Sequence, residues 1–181
     1  MRIIHLSFFL FCVKGLAICQ DVPEPDFSQR PFFIVGGNLV YLERVDGIIE
    51  LKGKAMGYGG VEMTYSADGL KSSVRTKGEN MKFFIKIEDN SDPSESFVLC
   101  PAVVKKSARK FKAVKLNMMG KPVPESTAHL IYFKSKKVKD KIFELWTESP
   151  LPSGEYALLP STNSTINANT SFVKINCFGV D

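Results

Sequence analysis

Histidine is almost missing from this chain: His5 and His129 are the only two in 181 residues. A triad that uses imidazole as its base would have to be built on one of them, and His5 falls in the apolar N-terminal stretch. His129 lies in Ala128-His129-Leu130-Ile131-Tyr132-Phe133, where strand alternation places it on one face with Ile131 and Phe133. A strand histidine satisfied by its surroundings is the better account of it than a catalytic base. With one histidine left and no CxxC spacing, zinc is poorly supported too. Cysteine is sparse. Cys12 and Cys19 belong to the N-terminal stretch, leaving Cys100 and Cys177 in apolar, strand-like contexts. A disulfide formed in an oxidising compartment and two buried free thiols both fit that context. The glycines of Gly57-Tyr58-Gly59-Gly60 have no Lys-Ser or Lys-Thr after them, so they read as a bulge or strand corner rather than a phosphate loop. No catalytic, metal-binding or cofactor-binding residue is assigned.

What is present begins with an export signal. Arg2 gives a positive start, Ile3 to Val13 are apolar apart from His5 and Ser7, and Lys14 ends the run. That layout suits a cleaved signal over residues 1–19, and the run is well short of the roughly twenty apolar residues of a spanning helix. Cleavage before Ile18 and cleavage before Gln20 both satisfy the small-residue rule. Leu16-Ala17-Ile18-Cys19 also resembles a bacterial lipoprotein box, in which Cys19 would carry lipid, although Ile18 stands where Gly, Ala or Ser is usual. Plain secretion is preferred and lipid anchoring is the alternative. The expected location is the periplasm, the outer-membrane surface or the medium. Without Arg2 and Lys14 the net charge falls from +5 to +3, too mild to name a nucleic-acid partner.

Residues 20–31, with Pro23, Pro25 and Pro31, read as an extended leader. Residues 32–181 read as one all-β domain, a single antiparallel β-sandwich. Short runs rich in β-branched and aromatic residues alternate with Gly, Pro and Asn turns. Phe32–Val35 and Leu39–Leu42 flank Gly36-Gly37-Asn38 as a hairpin. Val61–Tyr65 alternates, as does Phe111–Leu116 apart from one slip at Ala113-Val114. Further strands are expected at 48–52, 81–87, 97–100, 128–133, 141–146, 156–159 and 171–178, with Ala102–Val104 continuing beyond Pro101. No stretch has sustained helical periodicity. Asn163 and Asn169 open glycosylation sequons, which read as ordinary loop sequence.

Glu43, Glu50, Glu62, Glu144, Glu148 and Glu155 could supply a glycosidase pair, but no spacing singles two of them out. Asp89-Asn90-Ser91-Asp92 lacks the EF-hand pattern and reads as a solvated turn. The strongest charge feature is Lys105, Lys106, Arg109, Lys110 and Lys112, followed by a second group at Lys134, Lys136, Lys137, Lys139 and Lys141. These could form a patch for an anionic partner such as an acidic glycan. Lys110 and Lys112 alternate with Phe111 and Ala113 as on a solvated sheet face, and that surface reading, or guarding of exposed edge strands, is preferred. Tyr58, Tyr132 and Trp146 are the side chains that would form an aromatic patch.

Gly57-Tyr58-Gly59-Gly60, Gly69-Leu70-Lys71-Ser72-Ser73-Val74-Arg75, Val104-Lys105-Lys106 with Arg109, Leu151-Pro152-Ser153-Gly154-Glu155-Tyr156-Ala157 and the closing Cys177-Phe178-Gly179-Val180-Asp181 together resemble a group of uncharacterised exported β-rich proteins of Bacteroidota. The resemblance implies an envelope or secreted location and a β-sandwich, and it transfers no functional residue. The expected function is a non-enzymatic binding or structural role in the bacterial envelope. The sequence does not name the ligand; a glycan or an envelope protein is the candidate partner, and no nucleic acid is expected. A secreted carbohydrate hydrolase is the alternative.

Overall fold

The chain first turns back on itself at Gly36-Gly37. In the computed structural model both glycines have positive φ, 58° and 81°, the left-handed pair that a two-residue hairpin loop requires. Residues 22–53, 60–79, 81–89, 91–117, 119, 121–161 and 172–181 are described. β1 (Phe32–Val35) and β2 (Asn38–Tyr41) pair across this turn, Val35 opposite Asn38. There follow β3 (Glu43–Gly53), β4 (Val61–Asp68), β5 (Arg75–Thr76), β6 (Lys82–Lys86), the one-turn helix α1 (Pro93–Ser96), β7 (Phe97–Lys105) and β8 (Ala108–Leu116). A 3₁₀ turn (Pro124–Thr127), β9 (Ile131–Tyr132), β10 (Lys134–Lys139), β11 (Ile142–Trp146), β12 (Gly154–Pro160) and β13 (Phe172–Val180) complete the order.

The protein is all-β and its two sheets are antiparallel apart from the short parallel pairing of β5 with β13. The smaller sheet runs β10-β11-β6-β1-β2. The larger runs β12-β13-β3-β4-β8-β7 and closes, because β7 pairs with β12 as well as with β8. The all-β, antiparallel expectation is met, but the architecture is a closed six-stranded barrel with a second sheet packed on it rather than the single sandwich expected from the sequence. The change of partner falls at Pro101. Residues 97–101 pair with β12 and residues 102–105 with β8, so the proline that looked like a strand end marks where β7 changes neighbours.

Three apolar layers follow from strand alternation. Inside the barrel lie Met63, Tyr65 and Ala67 of β4, Phe111, Ala113 and Val114 of β8, Leu159 of β12 and Ile175 of β13. Between barrel and sheet, Phe33, Phe83 and Leu145 meet Leu99, Tyr156, Leu158 and Phe178. Phe83 and Phe178 rings stand 5.2 Å apart, edge to face. On the far side of the small sheet are Phe32, Phe84 and Ile142, with Val22. Residues 22–31 are packed there rather than extended into solvent. The Tyr41 hydroxyl accepts from Asp26 N at 2.9 Å, Gln29 N donates to Lys86 O at 2.7 Å, and the Arg30 guanidinium lies 4.6 Å from the Tyr41 ring.

The slip at Ala113-Val114 is a β-bulge. Met63 pairs with Val114 and Thr64 with Lys112, so Ala113 is the extra residue and both it and Val114 face inward. Two strand assignments change. Ala128 and His129 lie in a turn, and only Ile131–Tyr132 form a strand. His129 is exposed, its Nε2 against Lys112 O, and shares no strand face with Ile131. Lys134–Lys139, read as a charged stretch, is the edge strand β10. Residues 1–21, Cys19, Tyr58 and both sequons lie outside the described residues. Among those described, no helix is long and apolar enough to cross a membrane.

Candidate functional site

The barrel interior is filled with side chains, as a six-stranded barrel must be, so ligand chemistry has to use outer surfaces. The small sheet covers β12, β13 and the start of β7. The wall formed by β3, β4, β8 and the end of β7 carries the opposite parity. Because Met63, Tyr65 and Ala67 face inward, Glu62, Thr64 and Ser66 face outward. The register sets Glu50 of β3 and Lys112 of β8 on either side of Thr64, and Lys52 beside Glu62. Lys110 faces Val103 of β7.

These side chains surround a groove of about 280 Å³ lined by Lys52, Lys105, Lys110, Lys112, Glu62 and Thr64, with Val103. Lys110 Nζ donates to both Glu50 oxygens, at 2.8 and 3.0 Å. Lys52 lies 3.4 Å from Glu50, and Lys112 3.4 Å from Glu62. The Lys110 ammonium holds the Glu50 carboxyl below the usual carboxylate range. Lys105 has no ion-pair partner among the described residues. Four ammonium groups therefore meet two carboxylates, and the excess positive charge faces solvent.

Sequence and structure agree on Lys105, Lys110 and Lys112. Lys106 is exposed at the β7–β8 turn with φ 53° and does not line the groove. Arg109 is a correction: it is 1 % exposed and cannot belong to an accessible patch. Period two places Arg109 inward with Phe111, and Lys110 and Lys112 outward. Lys52, Glu62 and Thr64 were missed because they sit on strands distant in sequence. Edge guarding does not apply to β8, which has a paired strand on each side, whereas Lys110 and Lys112 do stand on its outer, solvent-facing side, alternating with buried Arg109, Phe111 and Ala113. Edge guarding does suit β10, whose lysines pair locally: Lys134 with Glu148 at 2.7 Å, Lys137 with Asp140 at 3.1 Å and Lys139 with Glu24 at 3.5 Å.

The chain matches no protein-family model, no curated protein and no solved structure.

Arg109 belongs to a charged plug at one end of the barrel. Its Nη1 donates to Glu43 Oε2 at 2.9 Å and lies 3.8 Å from Glu155 Oε2, while Nη2 donates to Asp68 O at 3.1 Å. Glu155 accepts from Ser72 N at 2.7 Å and from Arg75 Nη1 at 2.6 Å. Arg75 Nε donates onward to Asp181 Oδ1 at 2.7 Å. Gly179 makes room for this, since a Cβ there would stand 2.1 Å from Arg75 Nη1. Two of the six glutamates considered for catalysis thus do converge. Burial tends to raise the Glu43 pKa, but hydrogen bonds from Arg109 and Ser72 outweigh it and the carboxyl is held below its ordinary value. A glycosidase acid must keep its proton at working pH, and Glu43 is tuned the other way.

A second cleft, of about 280 Å³, is lined by Glu144, Trp146, Glu148, Lys82 and neighbouring residues. It shares Glu148, Ser149 and Pro150 with a shallower depression of about 690 Å³ beside Tyr132 and Phe133. Tyr132 is 58 % exposed and Trp146 half-buried. Lys82 Nζ sits 2.7 Å from Glu144, which fixes that carboxylate as an ion pair. In the loop before α1, Asp89 Oδ1 accepts from Ser91, and Asp92 Oδ1 from Ser94 and Ser135, so one oxygen of each is engaged by hydroxyl and amide donors.

Cys100 and Cys177 are free and buried. Both stand opposite Ala157, on the two sides of β12. Two strand spacings, about 9–10 Å, exceed the roughly 7 Å limit between disulfide-forming Cα atoms. Burial pushes both thiols up to about 12, so neither is a nucleophile at neutral pH.

Proposed function

We propose that the protein is an exported, non-enzymatic binding module of the bacterial envelope that holds an acidic glycan against the outer wall of its barrel. The lysine groove on β3, β4, β7 and β8 carries this reading. Its lysines lie on interior strands of a closed barrel, so edge protection does not account for them, and they outnumber the neighbouring carboxylates. The two-layer, sandwich-like arrangement supports the same reading, because the small sheet backs one side of the barrel and leaves the lysine wall free. Relationship to exported β-rich proteins of Bacteroidota, with residues 1–19 as a cleaved signal, is part of the proposal.

Titration calorimetry with dextran sulfate and neutral dextran tests it. The sulfated polymer is expected to bind, with affinity falling as salt rises, and the neutral one not. The double substitution Lys110→Glu and Lys112→Glu should reduce binding at least about tenfold by reversing the local field. Binding that survives both high salt and this substitution would sink the proposal. Cell fractionation with N-terminal sequencing tests export, and fatty-acid labelling with Cys19→Ala as control separates plain secretion from lipid anchoring.

The second reading, a carbohydrate hydrolase, rests on Glu144, Glu148 and Trp146 in one cleft. It predicts sugar release from polysaccharides that Glu144→Gln abolishes. No release by the wild-type protein would remove it.

A further inference from the structure

The lysines of the groove do not stand over bare backbone. Thr64, 5 % exposed, forms part of its lining, and its hydroxyl has no hydrogen-bond partner among the described residues. That oxygen is not one of the sealed, unpartnered polar atoms of the structure, so solvent reaches it and it is free to meet an incoming ligand. Around it stand ammonium groups from three other strands: Lys52 of β3, Lys105 of β7, and Lys110 and Lys112 of β8. Each ammonium carries three donors, and the ion pairs with Glu50 and Glu62 hold Lys52, Lys110 and Lys112 in place without using all of them. Donors therefore converge from the floor and from both walls.

We infer that this groove is built to seat a tetrahedral oxyanion ester, a phosphate or sulfate group carried on a saccharide, with one oxygen on the Thr64 hydroxyl and the others among the lysines. This deepens the glycan-binding reading and rests on it. Shape is the argument. A carboxylate offers two oxygens in one plane and can meet the floor or a wall. A tetrahedral group offers three free oxygens in three directions, matching donors that rise from β3, β4, β7 and β8. Lysine acts toward such groups as a point charge needing no fixed fork. Glu62 lines the groove and competes with the incoming anion for Lys112.

The test compares three charged polymers on the full-length protein by titration calorimetry: dextran sulfate, phosphorylated dextran and polygalacturonate matched in charge density. The wild type should prefer both esters to polygalacturonate, and the ratio of the first two tells sulfate from phosphate. Thr64→Val keeps the β-branched shape and removes the hydroxyl. It should weaken ester binding roughly tenfold, as for loss of one hydrogen bond to a charged group, and leave polygalacturonate unchanged. Thr64→Ser should retain the preference. Glu62→Gln should strengthen binding of all three polymers by removing the competing charge. Equal affinity of the wild type for polygalacturonate and the esters, or an unchanged preference in Thr64→Val with a native circular dichroism spectrum, overturns the oxyanion seat while leaving the glycan reading in place. Failure of all three polymers to bind the wild type overturns both.

Discussion

Arg109 sits in an apolar row as the only cation facing into the barrel among the described residues of β8, and two carboxylates oppose it. Removing Arg109 leaves the Glu43 carboxylate without its guanidinium, while Glu155 keeps Arg75 and Ser72 N. Arg109→Met should cost about 3–5 kcal/mol in urea unfolding at neutral pH. The pH dependence has a definite sign. The folded-state pKa of Glu43 is lowered from 4.5, so its stabilisation is complete above that value and is lost as pH falls through the folded pKa. The gap between wild type and Arg109→Met should therefore narrow as pH falls below 4.5 and through the lowered folded pKa of Glu43, where the carboxylate takes up its proton. Cys100 and Cys177 give a second expectation at this scale. A thiol reagent should modify neither at pH 7 in the native protein and both in denaturant, and non-reducing peptide mapping should find no bridge between them.

The Gly36-Gly37 hairpin and α1 show what single elements contribute. A Cβ at Gly36 would meet nothing within 4 Å, and Asn tolerates its left-handed φ. Gly36→Asn should raise stability by about 0.5 kcal/mol through a less flexible unfolded chain. Asp92 caps α1 by accepting from Ser94 N at 2.9 Å, and it also accepts from Ser135 Oγ at 2.7 Å. Asp92→Ala should cost about 1–2 kcal/mol, read as a lower urea midpoint. Elements whose local pattern and tertiary role coincide were legible in the sequence. The hairpin announced itself through its glycines, β4 through the alternation of Met63 and Tyr65 with Glu62 and Thr64, and the bulge through the doubled Ala113-Val114. β10 was not legible, because an edge strand of lysines buries too little to show a period. Barrel closure was hidden by Pro101, whose missing N–H resembles a stop until two different partner strands are known. In the candidate site, Lys105, Lys110 and Lys112 could be read from the chain. Thr64 and Lys52 could not, since only the register between β3, β4 and β8 brings them beside those lysines.

At the scale of the molecule, a closed barrel leaves its main strands no free edge, while the small sheet ends openly at β2 and β10. Exposed edges invite pairing with other chains, and charge suppresses it. Replacing Lys136 and Lys139 together by Val should increase aggregation seen by light scattering, with little change in the unfolding midpoint. Hydrogen exchange should follow the same division. Amides of β4 and β8, paired on both sides, should be the slowest, and those of β2 and β10 the fastest among strands.

The two thiols on either side of Ala157 also set a clock. β13 lies between β12 and β3, and Cys177 stands opposite Glu43, so the barrel closes only when distant parts of the chain meet. Such non-local closure is slow, on the order of milliseconds to seconds. Until it is complete both sulfurs are open to oxidants, and afterwards the wall of the barrel excludes them. If the chain matures in an oxidising compartment, as proposed, strand closure competes with thiol oxidation, and the finished barrel preserves whichever state the sulfurs had when it closed.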